Sequence, residues 1–569
     1  MTNKQTKTAI ILGIIIAVTL VLYFAVLRPI INEVLPEIKE QLQLDDGEVA
    51  GVNDRVMLFE QVERASIQSI EVKNKHGKYR FVRRETVNEQ TGQKSYTFDI
   101  EGHMGASYDQ NLFSTLVVDT GFTLSKVKVV NDNPDKLSDY GLSPEQEPAY
   151  YILTTVEGVQ HKVWVGDAIP SNGGYYVKYD TRNTVYVLDT TLETTVLAPI
   201  ENFVTPTLVM PSSLTTYFML NDLAIFKGTY LPEKTEDEEG GETEGEAGGE
   251  ETGGEETGGE AEGGEKEEVE LPSNVTKDPY VRFHYLTDEE KAKLDSNATF
   301  YMDYPGDGAY YASGAVDGLA QMLIAYQGIK TVKLGPTDED LKNYGCFNAE
   351  YTLYVVNNQA IQDAKGVTHY IEIPNYVYFS EMKKDEETGE EFRYAYSVLF
   401  NIVARVPYYD CEFLRYDMNT WVNNSLFSMN INKVSYITVE GEDVYAKFTL
   451  KGQDADLIVE TNTGHKPEVK NFRNFYKVIL GLTKSGDVNL TDEQVAALVA
   501  NDKNITATLT INLHSGRTLV YRFYSYGVQT YYTINGEGEF YLPTSQVNKL
   551  LADAVRVETD QVVNPDNAV

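Results

Sequence analysis

Few residues in this chain are spaced for chemistry. Histidine is the side chain most often recruited for metal ligation and for proton transfer near neutral pH. The seven present, His76, His103, His161, His284, His369, His465 and His514, are scattered singly. No His-Glu-x-x-His pair or comparable spacing gathers a zinc site, so no metal or cofactor is expected. The sequence contains no Gly-x-Ser-x-Gly elbow, Walker loop or dinucleotide fingerprint, and no catalytic residue is assigned. Asn131-Asp-Asn-Pro-Asp135 resembles the start of a calcium loop. It lacks the glycine at the sixth position and the glutamate at the twelfth, and it reads better as a turn capping the helix that follows.

Two residue types leave a choice open. Cys346 and Cys411 fall in one predicted unit and could form a disulfide outside the membrane. Alternatively, Cys346 is a small buried hydrophobe. Tyrosine is abundant, with 40 residues, and occurs in doublets. Tyr175-Tyr176 and Tyr531-Tyr532 stand at matching places. Neighbouring strand residues face opposite sides, so one of each pair is expected at the surface, where it could stack on a sugar ring or anchor a protein. The competing reading has these rings covering a sheet edge.

The elements around these residues are organised by a short motif. Leu137-Ser-Asp-Tyr-Gly-Leu142 is echoed by Leu341-Lys-Asn-Tyr-Gly-Cys346. A leucine three residues before a tyrosine shares a face of a helical turn with it, and the next glycine can end that turn in the left-handed conformation. Leu137, Tyr140 and Gly141, and likewise Leu341, Tyr344 and Gly345, are therefore predicted to form a structural latch between a helix and a sheet. A β-type run precedes and follows each copy, so one supersecondary unit is expected to recur.

At 569 residues the chain exceeds one core, and 86 acidic against 48 basic residues give a net charge of −38. That balance argues against nucleic acid, which requires clustered lysine and arginine. Residues 9–27 carry no charge and would cross roughly 28 Å of hydrocarbon as a helix. They are predicted to span the bilayer, with residues 1–8 as a cytoplasmic tip, the N-terminus inside and the bulk of the chain extracytoplasmic. Residues 28–65 follow as a juxtamembrane stalk, with apolar residues at helical spacing up to Leu42.

Runs of Val, Ile, Thr and Tyr predict an α+β protein: the transmembrane helix, then three related units of antiparallel sheet with packed helices. Their boundaries are 66–212, 213–428 and 432–556, with a frayed tail at 557–569. The second unit is expected to open with a strand at Leu214 to Leu220, and the first to close with a helix running towards Leu197. Between Glu233 and Glu270 stand 18 acidic residues and two lysines among Gly and Thr, a composition that cannot support a core. The repeat places this run in a hairpin loop of the second unit, where a chain of that length would span about 34 Å if disordered.

The latch followed by Val163-Trp-Val-Gly166, Gly174-Tyr-Tyr-Val177 and Val185-Tyr-Val-Leu188 resembles the pattern of the domain-of-unknown-function 4340 family. That resemblance implies a bacterial envelope protein with an N-terminal membrane helix and repeated β-rich units. It also implies, for some members, company with gliding-motility-type ABC transporters as a non-ATPase component. No catalytic residue carries over. The function expected is a non-catalytic binding or scaffold protein of the envelope, whose partner is a transporter permease, or alternatively a cell-wall glycan.

Overall fold

The structure is a computed structural model that describes residues 44–87, 94–103, 105–129, 134–210, 220–232, 270–294, 298–362 and 366–566. The predicted membrane span at 9–27, the first part of the stalk, the Asn131 to Asn133 turn and the acidic run at 233–269 lie outside them. Among the described residues, no helix is long and apolar enough to cross a membrane. The fold is α+β and mostly sheet.

Strands form where apolar residues alternate. In Ile505–Leu513, for example, Ala507, Leu509, Ile511 and Leu513 are buried while the residues between them are not. Each fully buried aliphatic side chain of this kind contributes about 1.5 to 3 kcal/mol. The first sheet comprises β1 (Ile67–Asn74), β2 (Gly77–Val87), β3 (Lys94–Ile100), β4 (Val127–Val129), β5 (Ala149–Thr155), β6 (Gln160–Ala168), β7 (Tyr175–Tyr179) and β8 (Val185–Leu188). The second comprises β9 (Leu220–Lys227), β10 (Val281–Tyr285), β11 (Phe300–Tyr304), β12 (Lys330–Leu334), β13 (Tyr351–Gln362), β14 (Thr368–Phe379), β15 (Glu391–Ser397) and β16 (Ile402–Pro407), with Lys383–Lys384 added on β15. The third comprises β17 (Val434–Gly441), β18 (Val444–Lys451), β19 (Ile458–Thr461), β20 (Gly486–Asp487), β21 (Ile505–Leu513), β22 (Thr518–Tyr526), β23 (Gln529–Ile534) and β24 (Phe540–Pro543).

All three sheets have the same spatial order. The first runs β3-β2-β1-β5-β6-β7-β8-β4, and the other two repeat it position for position. The pairing of the first strand with the fifth carries an irregularity at the same place in each, at Ile67/Ser69, Leu220/Asp222 and Val434/Tyr436. A helix follows the third strand every time: α1 (Gln110–Gly121), α3 (Gly314–Leu323) and α5 (Val469–Leu480). The intervening α2 is Asp288–Leu294. The strands flanking the acidic run, β9 and β10, pair with each other.

The chain divides into two compact units, Met1–Thr205 and Pro206–Val569. In the first, Phe113 of α1 packs its ring 4.8 Å from Phe81 and 5.1 Å from Phe98. In the second, Leu223 and Val355 from one sheet and Ile437 and Leu509 from the other belong to one continuous core, together with Phe472 and Phe475 of α5. The second and third sheets are thus parts of a single body.

The expected opening strand at Leu214 to Leu220 lies, except for Leu220, outside the described residues; from Leu220 onward β9 is a strand with Leu223 and Ile225 buried. Two local expectations are corrected. Instead of a closing helix near Leu197, the first sheet has short turns at Thr190–Glu193 and Ile200–Asn202, where Pro199 interrupts any longer helix. The tail is docked: Val563 is buried, and the side chains of Asn471 and Asn474 donate to the carbonyls of Gln561 and Val563.

The end of the stalk is also docked. The Glu48 side chain is wholly buried on the first sheet, 2.8 Å from the Lys128 Nζ and 3.4 Å from an Arg182 guanidinium nitrogen. The Tyr186 hydroxyl donates to the same carboxylate. Asp45 accepts from Thr184 at 2.7 Å, so the segment is held at two points.

Candidate functional site

The latch motifs are placed alike. After β4, the turn Pro134–Tyr140 brings Leu137, with Leu142, into a cluster with Val185 against Val129, Trp164 and Tyr176. The Tyr140 ring meets Tyr176 edge-on at 4.9 Å. Gly141 has φ +69°, which lets the Leu142 amide donate back to the Leu137 carbonyl at 2.9 Å. Gly166 of β6 is required for the same approach, since a Cβ there would stand 2.2 Å from the Tyr140 carbonyl oxygen. After β12, α4 (Asp338–Tyr344) begins with a capping box between Thr337 and Asp340 and ends at Gly345, φ +77°. Leu341 and Tyr344 pack there around Cys346, Ala349, Tyr378 and Val403. Tyr344 meets Tyr394 edge-on at 4.9 Å, the seventh-strand counterpart of Tyr176. In the third sheet, α6 (Asp492–Val499) occupies this place without a buried residue.

The disulfide reading is corrected. Cys346 and Cys411 are both free and buried, and they belong to different clusters. Burial pushes their thiols up, to about 12 and about 11, so both act as small hydrophobes. The Cys411 thiol donates to the Pro407 carbonyl at 3.3 Å.

The tyrosine doublets are also corrected in part. Tyr531 and Tyr532 are only 2% and 1% exposed. Tyr532 belongs to the main core, and the Tyr531 hydroxyl donates to the Gly538 carbonyl, so neither can bind a ligand. Tyr175 is half-buried, and Tyr176 is engaged by the latch. A doublet reveals alternation but not whether the second face of its strand is covered, and here the β23 doublet is covered on both.

A larger group of partly exposed aromatics lies on the face of the second sheet turned away from the core. Leu223, Ile225, Leu353, Val355 and Val377 point into the core, so their strand neighbours Asp222, Ala224, Tyr354 and Tyr376 point out. Tyr354 and Tyr376 are directly paired across β13 and β14, with ring centroids 4.9 Å apart. Tyr230 stacks 5.8 Å from Tyr376 and 4.2 Å from Phe226. Tyr230, Tyr354 and Tyr376 remain partly exposed, and burial pushes the Tyr376 phenol up to about 12. Beside them the Arg282 guanidinium forks onto the Asp222 carboxylate, with Nε at 3.2 Å. Next along β10, His284 Nδ1 lies 2.8 Å from Asp303, and its Nε2 lies 3.7 Å from Glu290 of α2. The Asp303 hydrogen bond raises the His284 pKa above its ordinary value, while partial burial opposes the shift.

A projecting arm continues from these two strands, with Tyr370 on the side of Tyr354 and Tyr376 and with Ile361 and Ile371 on the other. β13 and β14 pair over twelve positions, from Tyr351↔Phe379 to Gln362↔Thr368. Among the described residues, β9 flanks β13 as far as Asn357 and β15 flanks β14 from Val377. Beyond those points the ribbon carries Ile361, Tyr370 and Ile371, exposed by 45, 56 and 44%. Sequence reasoning missed the arm because it placed a β-type run after the second latch without extending it through Gly366. The signal present was the continued alternation of Ile361, Ile371 and Ile373 around Gly366.

Among the described residues no group of three or more His, Cys, Asp or Glu could hold a metal ion. Fold and faces together define a mainly β protein built around three large antiparallel sheets, one of which presents a tyrosine and arginine surface. Residues 99–270 match the family model described as "Domain of unknown function (DUF4340)", the family that the latch and its hairpins resemble. The matched stretch holds the first latch and the segments Val163 to Gly166, Gly174 to Val177 and Val185 to Leu188. No curated protein and no solved structure matches the chain.

Proposed function

We propose that this is a membrane-anchored, extracytoplasmic scaffold protein, an accessory subunit of a membrane transport complex that binds its protein partner through the second sheet. In this reading residues 9–27 are the anchor, with the N-terminus inside, and the three sheets are copies of one unit. The common strand order and the shared irregularity in the first strand support the copies. The docked Glu48 segment supports a first sheet tied closely to the anchor.

The observation that carries the partner is the gathering of Tyr230, Tyr354, Tyr376 and Arg282 on one face, which Tyr370 continues onto the arm. Tyrosine and arginine dominate the energetics of protein interfaces, and exposed aliphatic ribbons are rarely left uncovered. A cell-wall glycan is less well served, because sugar stacking needs open ring faces and these rings stack on one another. The test is co-purification of the detergent-solubilised full chain with a transporter permease at native expression. Tyr354→Ala with Tyr370→Ala should abolish that association while leaving the circular dichroism spectrum intact. Isolation of the native protein alone, or unchanged association of the double variant, would overturn the reading.

A further inference from the structure

The segment that follows the last helix is held as a bound peptide would be. α7 (Thr544–Glu558) gives way to Asp560, with φ +56°, and residues 561–564 then lie along α5 and α7. Asn471 of α5 takes both main-chain groups that flank Val562. Its Nδ2 donates to the Gln561 carbonyl at 2.8 Å, and its Oδ1 accepts from the Val563 amide at 2.8 Å. The side-chain amide thus stands in for the peptide group of a neighbouring strand. Asn474 Nδ2 donates to the Val563 carbonyl at 3.1 Å, and Lys549 Nζ of α7 donates to the Asn564 carbonyl at 2.8 Å.

Side-chain recognition is sparse by comparison. Val563 is 1% exposed and belongs to the main core, whereas Gln561, Val562 and Asn564 are exposed, Val562 by 82%. Proteins that bind extended peptides divide the work in this way: main-chain bonds supply affinity and a pocket supplies the choice of residue. The groove is also built apart from the segment. Lys549 is fixed by the buried Asp553 carboxylate at 2.8 Å, and Phe472 and Phe475 root α5 in the core. Asn471 and Asn474 are half-buried, within reach of a second chain.

We propose that the groove between α5 and α7 binds an extended segment of a partner protein carrying one valine or isoleucine, and that residues 561–564 fill it as an internal pseudo-ligand which the partner displaces. The groove uses none of the residues of the tyrosine face, so its failure leaves that reading untouched. Fluorescence anisotropy of a labelled peptide of residues 559–566 tests it on the solubilised full chain. Val563→Asp, which frees the groove, should bind the peptide saturably. The unaltered chain should bind at least about tenfold more weakly, because its own segment competes at an effective concentration of about millimolar. Alanine in place of Gln561 and Asn564 of the peptide should change nothing, and aspartate in place of its Val563 should abolish binding. Adding Asn471→Ala to the freed chain should weaken binding about tenfold, as loss of two hydrogen bonds implies. Hydrogen exchange on the unaltered chain needs no variant: millimolar peptide should speed exchange of the chain's own Val563 amide and leave the α5 amides unchanged. Unchanged exchange at Val563 would overturn the proposal, as would equal binding of the aspartate peptide or a freed chain with an intact circular dichroism spectrum that binds nothing. Dimers of the unaltered chain that Val563→Asp dissolves would make the occupant a second copy and overturn the partner segment.

Discussion

Substituting Gly166→Ala probes the first latch without removing any side chain. The added methyl would stand 2.2 Å from the Tyr140 carbonyl oxygen and 2.9 Å from Leu142 Cγ, and the first of these is backbone that cannot rotate away. Two responses are open to the protein. If strand and latch shift to make room, the cost is that of overpacking, about 1 to 3 kcal/mol. If the latch lifts, Leu137 and Leu142 are exposed, and at about 1.5 to 3 kcal/mol each the cost reaches roughly 3 to 6 kcal/mol. The expected loss therefore lies between about 1 and 6 kcal/mol, confined to the first unit. Trp164 packs in the latch cluster, and the only other tryptophan, Trp421, lies in the second unit. Urea denaturation followed by fluorescence in a Trp421→Phe background consequently reports on the latch alone. A midpoint within about 0.5 kcal/mol of the parent, the range of neutral surface changes, would refute the close approach as the reason for glycine at this position.

Glu48→Gln should destabilise the first unit by about 3 to 5 kcal/mol, because Lys128 and Arg182 would lose the carboxylate they enclose; denaturation curves showing under about 1 kcal/mol would refute this. The His284 pKa is raised in the folded protein, so its pairing with Asp303 adds stability that is fully present below the ordinary histidine value and is lost as pH rises through the raised one. His284→Gln should flatten that pH dependence in melts taken between about pH 5 and 9, and an unchanged slope would count against it. Tyr532→Ala should cost about 3 to 5 kcal/mol and Tyr370→Ala under about 0.5, since one ring is buried and the other is 56% exposed; similar costs for the two would contradict the assigned faces.

What could be read from the residues follows from the range of the forces involved. The latch was legible because its parts are local: a leucine, a tyrosine and a glycine within five positions determine a turn and the side it presents. The alternating strands were legible for the same reason. The Glu48 cluster was not, because its cations stand 80 and 134 positions further along the chain, and no periodicity links a carboxylate to a distant lysine. The burial of Tyr531 was equally hidden, since the close approach that covers it depends on Gly538 across a turn. The outward tyrosine face needed the register of β13 against β14, which alternation within either strand leaves undefined.

The place of the fourth strand has a further consequence. In every sheet it is made midway through the sequence yet pairs only with the eighth, at the far edge. A chain emerging from its N-terminus must keep that short segment waiting until the last strand of the same sheet arrives, so no sheet is complete before its final residues are synthesised. Each sheet is therefore indivisible: a break between its fifth and eighth strands strands the fourth, whereas extra length in the hairpin joining the first two disturbs no later pairing.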